Sequence, residues 1–270
     1  MVATVNRTRT SAAEAYVKAL RTGEPSATAL AGEALASDVV LKTANEEISG
    51  RDKVLARITG QWPMTPVYVQ GFWGAPQESG DQINVTAEFG PLGAAPTKVA
   101  LTFTFNQADQ IVRIEQQNTM APPVPATDGL PDVVRGLVNG ALANGTPMCV
   151  SYVGEDGQPV LSLRGSTQIF SPTQLCIWVR NAEGGIINAM ARNPKLALLY
   201  RDSKTRSTLI IQGRGHVESD EATRERVYAL SPEVEQNHDV AHRGAALIID
   251  VTSVQGTTVR GPVKYAPPSA

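Results

Sequence analysis

Arg164 stands inside an alternating, largely apolar run, PVLSLRGSTQIF at positions 159–170, and a second arginine, Arg180, closes the next such run, LCIWVR. A strand of this kind does not carry a mid-run arginine without an anion beside it, because a buried cation lacking a partner is costly. The residues after Arg164 suit a phosphate. Gly165 leaves the backbone bare for close approach, and Ser166 and Thr167 offer hydroxyls and amides. Side chains alternate along a strand, so Ser162, Arg164 and Ser166 share one face, as do Trp178 and Arg180 on the next strand. A guanidinium fork matches two phosphate oxygens and keeps its charge when buried. Gly184–Gly185 then opens a short helix whose first N–H groups and positive dipole end favour the same anion.

Elsewhere the chemistry-bearing residues are sparse. The two cysteines, Cys149 and Cys176, each lie in an apolar run and read as small buried hydrophobes, without the further thiols or histidines a disulfide framework or metal centre needs. His216 reads as a strand residue. His238 and His242 share a polar loop with no third ligand in view, so no metal is expected. Tyr200, Arg201, Lys204 and Arg206 are substrate-side candidates. No residue recommends itself as a general acid or base, and the catalytic set is left unassigned.

The chain has 270 residues, 42% apolar and 19% charged, with a formal net charge of −2, which suits one large or two ordinary domains. It has no basic run or basic–aromatic stripe, so no nucleic-acid partner is expected. The opening MVATVNRTRTSAAEAYVKAL lacks the apolar core of a signal peptide. No apolar run is long enough for a transmembrane helix, and cytoplasmic placement away from membranes is expected.

Four prolines in TMAPPVPATDGLP, residues 119–131, mark a semi-rigid linker between a domain at 1–118 and one at 132–270. In the first, helices are expected at 11–20, with Ser11 and Glu14 as a capping box, at 26–36 and at 51–59. Strands follow at 67–73, 82–89, 97–105 and 110–117. In the third of these Val99, Leu101, Phe103 and Phe105 alternate with polar residues, and 106–109 turns the chain. In the second domain a helix is expected at 131–142. Strands are expected at 146–153, 158–169, 175–180, 196–201, 208–218 and 245–251, or on to 259. A short helix runs from Gly185 to Asn193 and another over 220–230, capped by Ser219.

Two resemblances follow. Helices first and a curved antiparallel sheet after, with SGRDKVLARI (49–58) and FNQADQIVRIEQQN (105–118), resemble the nuclear-transport-factor-2-like superfamily, which includes SnoaL-type cyclases and ketosteroid isomerases. The resemblance implies an α+β cone around an apolar pocket, with Asp38, Tyr16, Tyr68 and Trp73 as lining residues. It implies a dimerising or pocket-shielding domain, an isomerase or cyclase site, or simple ligand binding. Residues 130–260 resemble the pyridoxamine 5′-phosphate oxidase-like, flavin-binding split β-barrel superfamily, on the ordered motifs DGQPVLSLRGS, LCIWVRNAEGG, RNPKLALLYRD and TLIIQGRGHV.

That second resemblance implies a mostly antiparallel split barrel with short helices that binds FMN at a homodimer interface. Arg164, Gly165, Ser166 and Thr167 would take the phosphate and ribityl chain. Trp178, Val179 and Arg180 would lie near the ring or ribityl region, Gly185 at the helix start, and Ser207 and Thr208 at the ring edge. The implied activity is a flavin-dependent oxidoreductase acting on a small organic substrate by hydride transfer at flavin N5. Gly185 and Ile186 replace the Arg–Lys pair of the oxidases proper, and Ile169 replaces another lysine. GPVKYAPPSA does not match their pyridoxal-phosphate-holding end, so pyridoxamine phosphate oxidation itself is not expected. A deazaflavin in the same barrel, or a non-catalytic flavin-, haem- or ligand-binding protein, remain the alternatives.

Overall fold

The computed structural model describes residues 8–59, 71–90 and 95–267. The chain divides into two compact units, Met1–Ala121 and Pro122–Ala270. Both are α+β, one built on a mixed sheet and the other on an antiparallel sheet.

The first unit opens with α1 (Arg9–Thr22). Its cap lies three residues upstream of the expected one. Thr8 Oγ1 accepts from Ser11 N while Ser11 Oγ accepts from Thr8 N, so Thr8 rather than Ser11 is the N-cap of the box. Gly23, at φ +63°, ends the helix, as a left-handed C-cap does. After α2 (Pro25–Ala34) the chain passes directly into strand β1 (Leu35–Lys42), so the helix expected at 26–36 stops two residues early.

Then come β2 (Glu47–Ser49), α3 (Arg51–Thr59), β3 (Phe72–Trp73), β4 (Gln77–Ser79), β5 (Gln82–Glu88), β6 (Pro96–Phe105) and β7 (Ile111–Met120). The sheet order is β2-β1-β7-β6-β5-β3, with β4 on β5 and β1 parallel to β7. Strand β6 alternates as expected. Val99, Leu101 and Phe103 are buried, whereas Phe105, beyond a bulge, is only partly so. Most of the strand expected at 67–73 lies outside the described residues.

The second unit holds α4 (Asp132–Asn139), β8 (Met148–Val153), β9 (Pro159–Arg164), β10 (Gln168–Ser171), β11 (Gln174–Val179), α5 (Gly185–Arg192), β12 (Lys195–Asp202), β13 (Ser207–Glu218), α6 (Glu221–Leu230), α7 (Glu233–Gln236), β14 (Ala245–Thr258) and β15 (Gly261–Tyr265). The sheet runs β10-β11-β14-β13-β12-β8-β9 with β15 on β14. Among the described residues this path is open. The stretch 121–131 has no regular structure, and it packs on this unit: Val124 N donates to Pro262 O and Leu130 N to Pro172 O.

The single strand expected at 158–169 is two strands. β9 pairs with β8 and β10 with β11, at opposite ends of the path, and only residues 165–167 connect them. Three residues reach roughly 10 Å, so this connection draws the two ends of the sheet together. Asp220, not Ser219, caps α6 by accepting from Thr223 N at 2.9 Å. Its carboxyl is held below the usual value by hydrogen bonds from the Thr223 backbone and hydroxyl.

The pairing of β13 with β14 leaves no room at Gly256, opposite Leu209. A β-carbon there would collide with the carbonyl oxygen of Thr208. Gly256→Ala is therefore expected to force the strands apart and destabilise this unit by about 1–3 kcal/mol, as overpacking does. Equilibrium urea unfolding compared with the parent checks this.

Candidate functional site

β9 ends at Arg164 because the chain must leave the sheet there. Met148, the cross-strand partner of Arg164, is fully buried, so the alternation of β9 turns Ser162 and Arg164 inward and Leu161 and Leu163 outward. The departure is stabilised by hydroxyls. Ser166 Oγ donates to Trp178 O at 2.8 Å, and Thr167 Oγ1 donates to Arg164 O at 3.0 Å. Both residues are buried. These side chains, expected to face a ligand, instead satisfy backbone carbonyls that the break in the strand would leave unpaired.

Residues 163–166, the end of β11 and the start of α5 border an open cavity of about 360 Å³, within the range of small-molecule sites. Arg164, Gly165, Ser166, Trp178, Val179, Arg180 and Gly185 line it, as do Asn181, Gly184, Ile186 and Glu235. Arg164 is half-buried. Its Nε is shut off from solvent and has no hydrogen-bond partner, and neither has the buried Ser162 Oγ on the same strand face. Burial pulls the Arg164 guanidinium below its ordinary value. Tyr152 pulls it back up, Arg180 lowers it further and Glu235 raises it. Gly184 caps α5 with no side-chain hydrogen bond, so the first amides of that helix have no side-chain acceptor and lie at the cavity wall.

Trp178 plays a different part from the one expected. Its indole is buried with Cys176, Val227, Tyr228, Ala246 and Ile248, meets Tyr228 edge to face with ring centroids 5.2 Å apart, and donates from Nε1 to Asp239 Oδ2 at 2.9 Å. It is a wall that anchors the segment after α7. Val179 belongs to the main core and Arg180 is exposed. Thr167, Ser207 and Thr208 do not line the cavity. Ser207 is fully buried in the β12–β13 hairpin, where Thr205 Oγ1 donates to its hydroxyl at 3.0 Å, and Arg201 Nη1 donates to Thr208 Oγ1 at 3.2 Å. Thr208 pairs with Thr257 whereas Trp178 pairs with Ala246, so β14 separates them along its length.

Tyr200, taken from the sequence as substrate-side, is wholly buried, and Arg201 hydrogen-bonds within its own hairpin. Cys176 is an inert thiol, pushed by burial to about 12. His216 lies 3.7 Å from Asp250, and His242 lies 3.0 Å from Glu225 and stacks on Tyr228. In the first unit Asp38 is exposed on β1, while Tyr16 is core, packed edge-on to Phe103 at 5.4 Å. Trp73 meets Phe89 at 6.0 Å, and Tyr68 lies outside the described residues.

Sequence reasoning missed Glu235. A β-carbon on Gly165 would collide with its Oε1 and stand 3.2 Å from its Cδ. The bare backbone expected to admit a ligand is covered by the chain's own carboxylate.

No family model matches the chain, and no curated protein does. Among solved structures it is similar to HupZ from Group A Streptococcus (16% identity, 49% of this chain and 97% of that one, TM-score 0.38). It is also similar to a putative pyridoxamine 5′-phosphate oxidase from Lactobacillus delbrueckii (18%, 47% and 94%, TM-score 0.37). A third similar structure is a putative isomerase of the SnoaL-like family from Agrobacterium tumefaciens (14%, 42% and 98%, TM-score 0.34). Both superfamilies that the sequence resembles are represented. No helix among the described residues is long and apolar enough to cross a membrane.

Asp239 ties Trp178 to the 232–244 segment. Partial burial works to raise its carboxyl, but hydrogen bonds from Arg243 N, Gly244 N and the Trp178 indole, with the charge of His242, hold it below the ordinary 3.8. A carboxyl depressed on folding contributes stability above its unfolded value, and that contribution disappears as pH falls through the folded one. The Gly244 amide, which donates to Asp239 Oδ2 at 2.8 Å, is expected to report this in an NMR titration with a midpoint below 3.8, and Asp239→Asn to abolish the transition.

Proposed function

We propose that the second unit is a flavin-binding domain of split-barrel type that holds FMN non-covalently, and that the protein is an FMN-dependent oxidoreductase acting on a small organic substrate. One observation carries the reading: a half-buried guanidinium whose Nε is sealed from solvent and unpartnered lines a cavity together with Gly165 and the start of α5. An anionic phosphate is the group that such a set accommodates. Arg164 and Arg180 would supply the charge, and the first amides of α5 further donors. A bound flavin would supply hydride transfer at N5, the protein contributing orientation and polarity. The same cavity would accept a deazaflavin phosphate. The neutral Gly185 and Ile186 at the helix start, in place of a cationic pair, favour that second reading.

A homodimer belongs to the proposal. Leu163, Cys149, Leu199 and Ile210 form one cross-strand row over β9, β8, β12 and β13. Leu161 is 70% exposed and Leu163 67%. Apolar surface gathered in this way marks an interaction site, and Leu163 continues it to the cavity wall. In such a dimer the partly exposed Thr208 would serve the neighbouring copy's cofactor, with the fully buried Ser207 fixing the hairpin behind it. The first unit, read as a cone, would shield or dimerise.

The purified protein is expected to be yellow, with an oxidised-flavin spectrum and FMN released on denaturation; a retained deazaflavin would decide for the second reading. Arg164→Ala is expected to weaken flavin retention by about one to two decades, the worth of a charged hydrogen bond at roughly 1.5–3 kcal/mol. Undiminished retention would remove the phosphate assignment. Leu161→Glu combined with Leu199→Glu is expected to yield monomers in light scattering where the parent is a dimer.

A further inference from the structure

Glu235 stands where an incoming anion would approach. Its Oε1 covers Gly165, and it shares the cavity wall with Arg164 and Arg180. No ion pair joins it to either arginine among the described residues. Attraction to the guanidinium therefore acts across the cavity and not through a direct contact. The carboxylate is placed by its scaffold. α7 carries it, and Tyr228 OH donates to Gln236 O at 3.0 Å while Gln236 Nε2 donates to Ser231 O at 2.7 Å. Downstream, Asp239 fastens the segment to Trp178 and Gly244.

We propose that Glu235 is a tethered competitor for the anion of the ligand, a carboxylate that occupies the Gly165 notch and must swing aside before a phosphate can seat. The inference rests on the flavin reading of this cavity. Its physical basis is charge. Two arginines face one carboxylate there, and a phosphate added beside that carboxylate meets a like charge at close range in a partly desolvated wall. A ligand that binds only the fraction of molecules with the notch cleared has its affinity lowered by that fraction. The device also discriminates. It acts on the anionic end of a ligand and not on a neutral ring.

The test compares FMN with riboflavin, which lacks the phosphate, on the full-length parent and on Glu235→Gln, by quenching of flavin fluorescence. Neutralising Glu235 is expected to tighten FMN binding about tenfold, as for a binding-competent fraction near one tenth, and to leave riboflavin unchanged. Unchanged or weaker FMN binding overturns the proposal, as does an equal gain for both ligands. If neither protein binds FMN, the flavin reading fails by itself. Glu235 is then judged by inorganic pyrophosphate, followed by the Gly165 amide resonance. Tighter pyrophosphate binding by Glu235→Gln supports the competitor; equal affinity, or none in either protein, overturns it.

Discussion

The structure of the second unit is organised around one half-buried cation, Arg164, whose Nε is sealed from water without a hydrogen-bond partner. Desolvating a guanidinium costs several kcal/mol unless charge or hydrogen bonds offset it, and nothing in the fold bonds Arg164 Nε. The neighbours that shift its proton affinity, Tyr152, Arg180 and Glu235, act across space. A bound phosphate, as proposed, would complete it. The local architecture serves the same end: β9 stops at Arg164, two buried hydroxyls satisfy the carbonyls of the break, and the two ends of the sheet are drawn together beside the guanidinium.

The wall that carries Glu235 is built from the one-turn helix α7 and the hydrogen-bonded segment after it. Asp239 accepts from an indole and two backbone amides, and α6 supplies Tyr228 as the surface against which Trp178 and His242 pack. Trp178 is therefore part of the site's support, and its carbonyl, not its ring, meets Ser166. The segment that presents Glu235 is thus fixed at its far end and short of contacts at the carboxylate itself.

Much of this was legible in the sequence, for reasons that can be named. Strand β6 was readable because Val99, Leu101 and Phe103 alternate with polar residues on a half-buried sheet, and the turn at 106–109 because Asn106 Oδ1 accepts from two nearby amides. Strand β1 was hidden because an alanine-rich helix runs into LASDVVLK with no glycine or proline between. The break between β9 and β10 was hidden because SLRGSTQIF keeps its alternation through Gly165, and periodicity records faces, not partners. Arg164, Gly165, Arg180 and Gly185 reached one cavity because their chemistry is local. Ser207 and Thr208 did not, because their place depends on register. Glu235 was illegible: SPEVEQNHDV has no periodicity, and only tertiary packing sets its carboxylate on Gly165.

One strand joins the proposed interface to the proposed site. Along β9 the residues alternate, Leu161 and Leu163 outward and Ser162 and Arg164 inward, so a period of two places an exposed apolar row and a half-buried cation back to back. A second copy covering the outer row would exclude water from the cavity mouth at Leu163, and lower dielectric strengthens every charge interaction inside. The attraction of Arg164 for a phosphate and the repulsion of that phosphate by Glu235 would grow together. Association of two chains would then sharpen the distinction between an anionic and a neutral ligand beyond any contact the partner itself contributes.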